Sequence, residues 1–205
     1  MARPREFDVE VALGRAMELF WSKGYESTSL DDLCEATRLS RSSFYATFGS
    51  KRSVFLKSIE RYVGQRNPQI AAVLEEPVPI CEGFAALARQ LIDQIVSGPG
   101  RRGCFLGNCA AELSRSDHAG QARVRQGMES TTATFREALV RAKRRGELPR
   151  STDAEALARF LTAGFQGLRL VGKVNPDRAV LSDIASTMLR CLEQRSETGR
   201  RGVKL

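Results

Sequence analysis

One histidine, His118, occurs in the whole chain, and no Cys or carboxylate stands from it at a catalytic or metal-ligating spacing. Five cysteines (Cys34, Cys81, Cys104, Cys109, Cys191) are scattered, odd in number and without a CxxC pair. That argues against a zinc site or a disulfide framework and for free thiols in a reducing compartment. There is no Gly-rich loop to cradle a phosphate, and Glu112 with Asp117 is a weak acid pair. An enzyme therefore has little to work with, and nothing calls for a cofactor or a metal. No apolar run approaches the ~20 residues that span a bilayer. The start, MARPREFD, lacks the pattern of a signal peptide, so a cytoplasmic location with no membrane partner is expected. Alternating β patterns are missing too, which leaves an all-α fold of about nine helices.

What is present fits a soluble globular chain: 27% charged and 42% hydrophobic residues over 205 positions, enough for one or two domains. The net charge is +8, yet the first 60 residues hold nine Lys/Arg and nine Asp/Glu. The excess lies in Arg141–Arg150 and Arg190–Lys204. Bulk charge thus does not locate a nucleic-acid site. Local placement does: Arg3, Arg5, Arg38, Arg41, Lys51 and Arg52 can share one surface.

The organising stretch is Ser29–Lys51, SLDDLCEATRLSRSSFYATFGSK. Ser29 and Asp32 form a capping-box-like pair before a short helix over Leu30–Ala36, with Leu33 facing inward. Thr37-Arg38-Leu39 breaks the pattern, and Ser40 is a second N-cap for a helix over Arg41–Phe48. Phe44 and Phe48, four apart, point to a core, while Arg41, Ser42, Ser43 and Tyr45 make a donor-rich opposite face. Such a helix-turn-helix fits its second helix into the DNA major groove.

These residues resemble the DNA-binding segment of the TetR family of transcriptional regulators. The match is Phe44-Tyr45-Ala46-Thr47-Phe48-Gly49-Ser50-Lys51, preceded by Leu39-Ser40-Arg41. The resemblance is strong over about the first quarter of the chain and loose beyond it. Where the family usually has Gly in the turn this chain has Arg38, so Arg38 must accept a left-handed conformation or the turn must differ. The resemblance implies a homodimeric repressor on a palindromic operator in double-stranded DNA, dimerised through its last two helices and released by a small-molecule effector. It assigns base edges to Arg41, Ser42 and Ser43, and phosphates to Thr28, Tyr45 and Lys51. The expected division is a DNA-binding domain at 1–50 and a ligand-binding and dimerisation domain at 51–205.

A basic arm around Pro4, with Arg3 and Arg5, precedes a first helix over Phe7–Lys23 that Gly24 closes. Ser50 caps a helix expected to reach Arg66, just before Pro68. Further helices are expected over Ile80–Ser97, Gly103–Ser114, from Asp117 to Arg145, and Asp153–Val174 capped by Ser151 or Thr152. The last, Asp177–Gln194, would start from an Asn175-Pro176 pair. In the final two, Phe160, Leu161, Phe165 and Leu168 form one apolar side, and Val180, Leu181, Ile184, Met188 and Leu192 another. Gly164, Gly167 and Gly172 predict close helix approach or room beside a cavity.

Two features bear on ligand chemistry. Phe84, Leu91, Phe105, Met128, Phe135 and Phe165 can wall a pocket for an apolar or aromatic effector, with Asn108, Thr131, Thr132 and Gln166 as its polar groups. In RRGCFLGNCAAELS, Cys104, Asn108 and Glu112 recur at i, i+4 and i+8, on one helical face. This G-C-x-x-x-N stretch resembles a subset of TetR-type regulators that respond to electrophiles or oxidants. Thiol sensing through Cys104 and constitutive DNA binding without an effector are the competing readings.

Overall fold

The computed structural model describes residues 7–113 and 117–193; the Arg3/Arg5 arm, the expected helix ends at Ser114 and Gln194, and the basic tail fall outside them. Nine α-helices and no strand occur among the described residues. Asp8 caps α1 (Val9–Lys23), its carboxylate accepting the amides of Glu10 and Val11. Ala12, Leu13, Ala16, Met17 and Phe20 fall at helical spacing and face inward.

Helix α2 (Leu30–Thr37) opens with the full capping box. Ser29 accepts the Asp32 amide at 3.1 Å, and Asp32 accepts that of Ser29 at 2.7 Å. It closes on Arg38 at φ 59, ψ 36, the one non-glycine left-handed residue among those described. The Leu39 amide reaches back to the Cys34 carbonyl at 3.0 Å, and Leu39 is buried. That is the arrangement a glycine ordinarily serves, here at a cost of about 1–2 kcal/mol in Cβ crowding. Helix α3 (Arg41–Phe48) starts at Ser40, whose hydroxyl accepts the Ser43 amide.

Helix α4 runs over Lys51–Glu75 and does not stop before Pro68. Two things carry it through. Ile70 and Leu74 continue its buried stripe into the second core, and Pro68 sits on the exposed side. Asn67 is pinned to the facing helix α7 (His118–Arg144), donating to Ser130 and accepting from Thr131, both at 2.9 Å. Packing here outweighs the one backbone hydrogen bond that proline removes.

The remaining order is α5 (Ile80–Val96), a 3₁₀ turn at Pro99–Arg102, α6 (Phe105–Glu112), α7, α8 (Ala154–Val174) and α9 (Arg178–Leu189). Three boundaries differ from expectation. Asp153 and Asp177 cap α8 and α9, in place of Ser151/Thr152 and Asn175-Pro176. A carboxylate caps as a hydroxyl does and also meets the positive helix end with a full charge. Cys104 is the extended N-cap of α6, after Gly103 at φ 77, and so lies outside the helix. The expected Cys104–Asn108–Glu112 face therefore does not form.

Two cores result. The first gathers α1–α3 and the first half of α4, and it includes Cys104, Phe105, Leu106 and Cys109 from the α6 segment. Phe105 is fully buried there, its ring near those of Trp21, Phe55 and Tyr62. The second joins the end of α4 to α5, α7, α8 and α9. No described helix is long and apolar enough to cross a membrane.

Candidate nucleic-acid interface and effector pocket

Helix α3 is positioned by its own apolar face. Phe44 and Phe48 are buried with ring centroids 5.3 Å apart, which leaves Arg41, Ser42, Tyr45 and Ala46 exposed and Ser43 half-buried. Ala46 adds to this face a small apolar surface that the motif reading left out. Ser40, Ser42 and Ser43 hydroxyls lie within 3.0 Å in a chain, so the serines at the start of α3 are oriented toward one another. The Arg41 guanidinium is held by both oxygens of Asp31 at 2.7–3.0 Å. The pair is exposed, so a base edge would have to compete with Asp31 for the guanidinium.

Lys51 stands in the first turn of α4, where no acid is present. Its Nζ lies 4.4 Å above the Tyr25 ring and 3.4 Å from the Glu26 carbonyl. A cation over an aromatic face is directed yet still free to meet an anion. Tyr45 is more than half exposed, beside α3. Thr28 corrects the expectation: it is 1% exposed and its hydroxyl donates to the Gly24 carbonyl. That bond knits the α1–α2 turn and leaves no side-chain donor for a phosphate.

The predicted pocket residues separate. Phe135 and Phe165 line a cavity of about 40 Å³ between α4, α7 and α8, with Cys104, Gln166, Thr131 and Thr162. Phe84 and Leu91 do not reach it; both are buried in the second core, where Phe84 packs edge-on to Phe135 at 5.1 Å. Phe105 belongs to the first core. Asn108 is spent on structure, donating to the Arg102 carbonyl at 2.8 Å and accepting from Lys173. Met128 and Thr132 line a separate, open groove along α7, although Thr132 meets Thr162 at 3.0 Å.

Among the cavity residues that went unread in the sequence are Tyr62, Arg66 and Arg169. Each had a signal. Tyr62, Arg66 and Ile70 recur at i, i+4, i+8 on the inner side of α4, and Arg169 follows Phe165 by four in the apolar α8. Ending α4 at Arg66 hid the first pattern. At the centre, the Cys104 Sγ lies 3.6 Å from the Tyr62 hydroxyl and accepts from Gln166 Nε2 at 3.4 Å. Burial, and then the sulfur of Cys104, push the Tyr62 phenol upward. Burial, and then the nearby Arg169, push the Arg66 guanidinium downward.

Comparison with known proteins agrees with this geometry. Residues 12–57 match the model of bacterial regulatory proteins of the tetR family, and 82–188 that of the tetracyclin repressor-like C-terminal domain. The chain belongs to the TetR family. Among its TetR relatives is the HTH-type transcriptional repressor ComR of Escherichia coli (strain K12), 34% identical over 92% of this chain and 90% of ComR. Another is the uncharacterized HTH-type transcriptional regulator YezE of Bacillus subtilis (strain 168), 31% identical over 94% of this chain and all of YezE. The TetR regulator CifR, solved as a cysteine mutant with a 26-bp double-strand operator DNA, superposes with a TM-score of 0.82. It is 34% identical, over 92% of this chain and 98% of CifR. As a TetR protein the chain is a DNA-binding transcriptional regulator and not an enzyme.

Proposed function

We propose that the protein is a homodimeric repressor that occupies a palindromic operator and leaves it when a small molecule fills the α4–α7–α8 cavity. The observation that carries the DNA half is α3: two phenylalanines bury one side, and the other offers Arg41, Ser42, Ser43 and Tyr45 to solvent. In this reading Arg41 and the serines address base edges, while Tyr45 and Lys51 hold phosphates. Residues 1–50 form the DNA-binding unit and 51–205 the ligand-binding and dimerisation unit, with α4 as their shared wall.

A single α3 addresses few bases, so two-fold symmetry supplies a second, about one helical turn (~34–36 Å) along the duplex. Support for a dimer comes from α8, which carries two apolar stripes. Leu161, Phe165 and Leu168, like Leu181, Met188 and Leu192 of the α9 segment, face their own subunit's core. Those six residues, expected at the interface, are therefore intrachain. The second stripe, Phe160, Ala163, Gly167, Leu170 and Val174, is solvent-facing, with Leu170 69% and Val174 82% exposed. A second copy of the chain covers it. Gly164 and Gly172 pack against Met188 and Ile95 within the subunit, whereas Gly167 has open space around it.

Effector release is an equilibrium between two placements of the DNA-binding units, biased by the ligand's differential affinity. A second reading makes Cys104 the responsive group, because its sulfur lies in the cavity wall. Cys109 is a poor candidate: burial, and then Glu112, push its thiol up to about 12. The test selects bound fragments from genomic DNA and then screens small molecules and N-ethylmaleimide for release. Failure to retain any inverted-repeat fragment contradicts the main reading. Unchanged maleimide release in Cys104→Ser contradicts the thiol reading.

A further inference from the structure

Arg66 and Arg169 come together at the cavity without an acid. Both line its inner chamber, and both, with Tyr62, also line a cleft of about 150 Å³ on the outer side. The two guanidiniums thus stand where the inner chamber meets the outside. Arg66 Nε is buried and has no hydrogen-bond partner. No ion pair holds either guanidinium among the described residues, whereas other arginines of the fold, including Arg41, Arg52, Arg61 and Arg102, each hold a carboxylate. Glu18, the acid lining the outer cleft, is bound to Arg102. Two like charges partly out of water, one of them with an idle donor, are unfavourable unless something anionic joins them.

We propose that this is a carboxylate site: a small organic acid places its headgroup between Arg66 and Arg169 and its apolar tail among Ile70, Leu87, Phe135 and Phe165. The chemistry of the walls sets the class. Planar guanidinium donors match the two oxygens of a carboxylate, and the Tyr62 hydroxyl stands beside them. The inner chamber, about 40 Å³, is far below the roughly 300–1,000 Å³ of drug-sized sites and below the roughly 150 Å³ that takes a benzene ring, so the tail is a short aliphatic chain. The proposal rests on the effector reading only in sharing its cavity; the binding site stands or falls on its own.

The experiment uses the full chain at constant ionic strength, with propionate and butyrate as probes and propionamide and butyramide as their neutral counterparts. Melting temperature and titration calorimetry are the readouts. The carboxylates raise Tm and the amides do not. Arg169→Gln and Arg66→Gln each weaken carboxylate binding by roughly tenfold or more. Without ligand, both variants melt at or above the wild-type temperature, because removing one guanidinium relieves the other. A merely structural arginine lowers that temperature instead. No response to either carboxylate, equal response to acid and amide, or full affinity in Arg169→Gln overturns the proposal, and Arg169→Gln decides alone if Arg66→Gln misfolds. Operator release distinguishes the two readings. A carboxylate that binds without releasing DNA sustains the site and overturns its effector role; release by neutral compounds with no carboxylate binding overturns the site and sustains the effector reading.

Discussion

The Glu112 carboxylate accepts the backbone N–H of Tyr25 at 2.9 Å and that of Glu26 at 2.7 Å, across 86–87 residues of sequence. It sits at the last residue of α6, and its partners form the turn between α1 and α2. Gly24 makes room for it: a Cβ there would stand 2.8 Å from the carboxylate, and the φ of 86° already favours glycine. Lys51 rests over the ring of Tyr25. The far end of α6 is thereby tied to the side chains expected at the phosphates, while its Cys104 end borders the cavity.

Glu112→Ala removes two hydrogen bonds to a charged acceptor. Unfolding stability should drop by about 1–3 kcal/mol, since those amides lose their partner at the edge of the core. Operator affinity should also weaken, and effector response should flatten, if the turn carries the signal. Urea unfolding with operator titration checks both. Glu112→Gln, which keeps an acceptor for only one of the amides, should fall between.

Arg38→Gly should stabilise the chain by up to about 1 kcal/mol, because only the Cβ of Arg38 resists its left-handed conformation. The gain is limited by the greater freedom glycine has when unfolded. Chemical denaturation reads it directly. A loss of stability would mean that the exposed guanidinium contributes more than its backbone costs.

Acid should destabilise the protein through its paired carboxylates. The Arg52 hydrogen bond, then the Gly120 amide, hold Asp117 below the usual carboxylate range; Lys23 and Ser29 do the same for Asp32. Groups depressed on folding bind their proton first in the unfolded chain. Their contribution is present above about pH 4 and is lost as pH falls through the lower folded values. Asp117→Asn should flatten the acid limb of stability measured between pH 2.5 and 7.

Leu170→Glu with Val174→Glu places two charges on the outer stripe of α8 without touching its inner one. The variant should sediment as a folded monomer with wild-type helicity, and its operator affinity should fall by orders of magnitude as the second half-site is lost. A folded dimer would move the interface elsewhere.

The helix-turn-helix was legible because its determinants are local. Ser29, Asp32, Ser40, Phe44 and Phe48 act within one or two turns, so caps and spacing locate them. The cavity was not, because tertiary packing decides it. Pro68 would end an isolated helix, yet Asn67, Ile70 and Leu74 find partners on α5 and α7 that keep it going, and only then does Arg66 face Arg169. Phe105 obeys the same logic. Its spacing marks it as apolar, but which of two cores receives it depends on α6 docking against α1 and α4. Thr28 shows the converse, a polar residue whose hydroxyl is used inside its own turn.

The salt dependence of operator binding tests the central claim most directly. For wild type, Tyr45→Ala and Lys51→Ala, the affinity for a selected inverted-repeat duplex is measured across ionic strengths. The account predicts weaker binding in both variants, and for Lys51→Ala a log–log slope reduced by roughly 0.9, the loss of one phosphate contact. Affinity and slope unchanged in both would contradict the placement of α3 and the start of α4 on DNA.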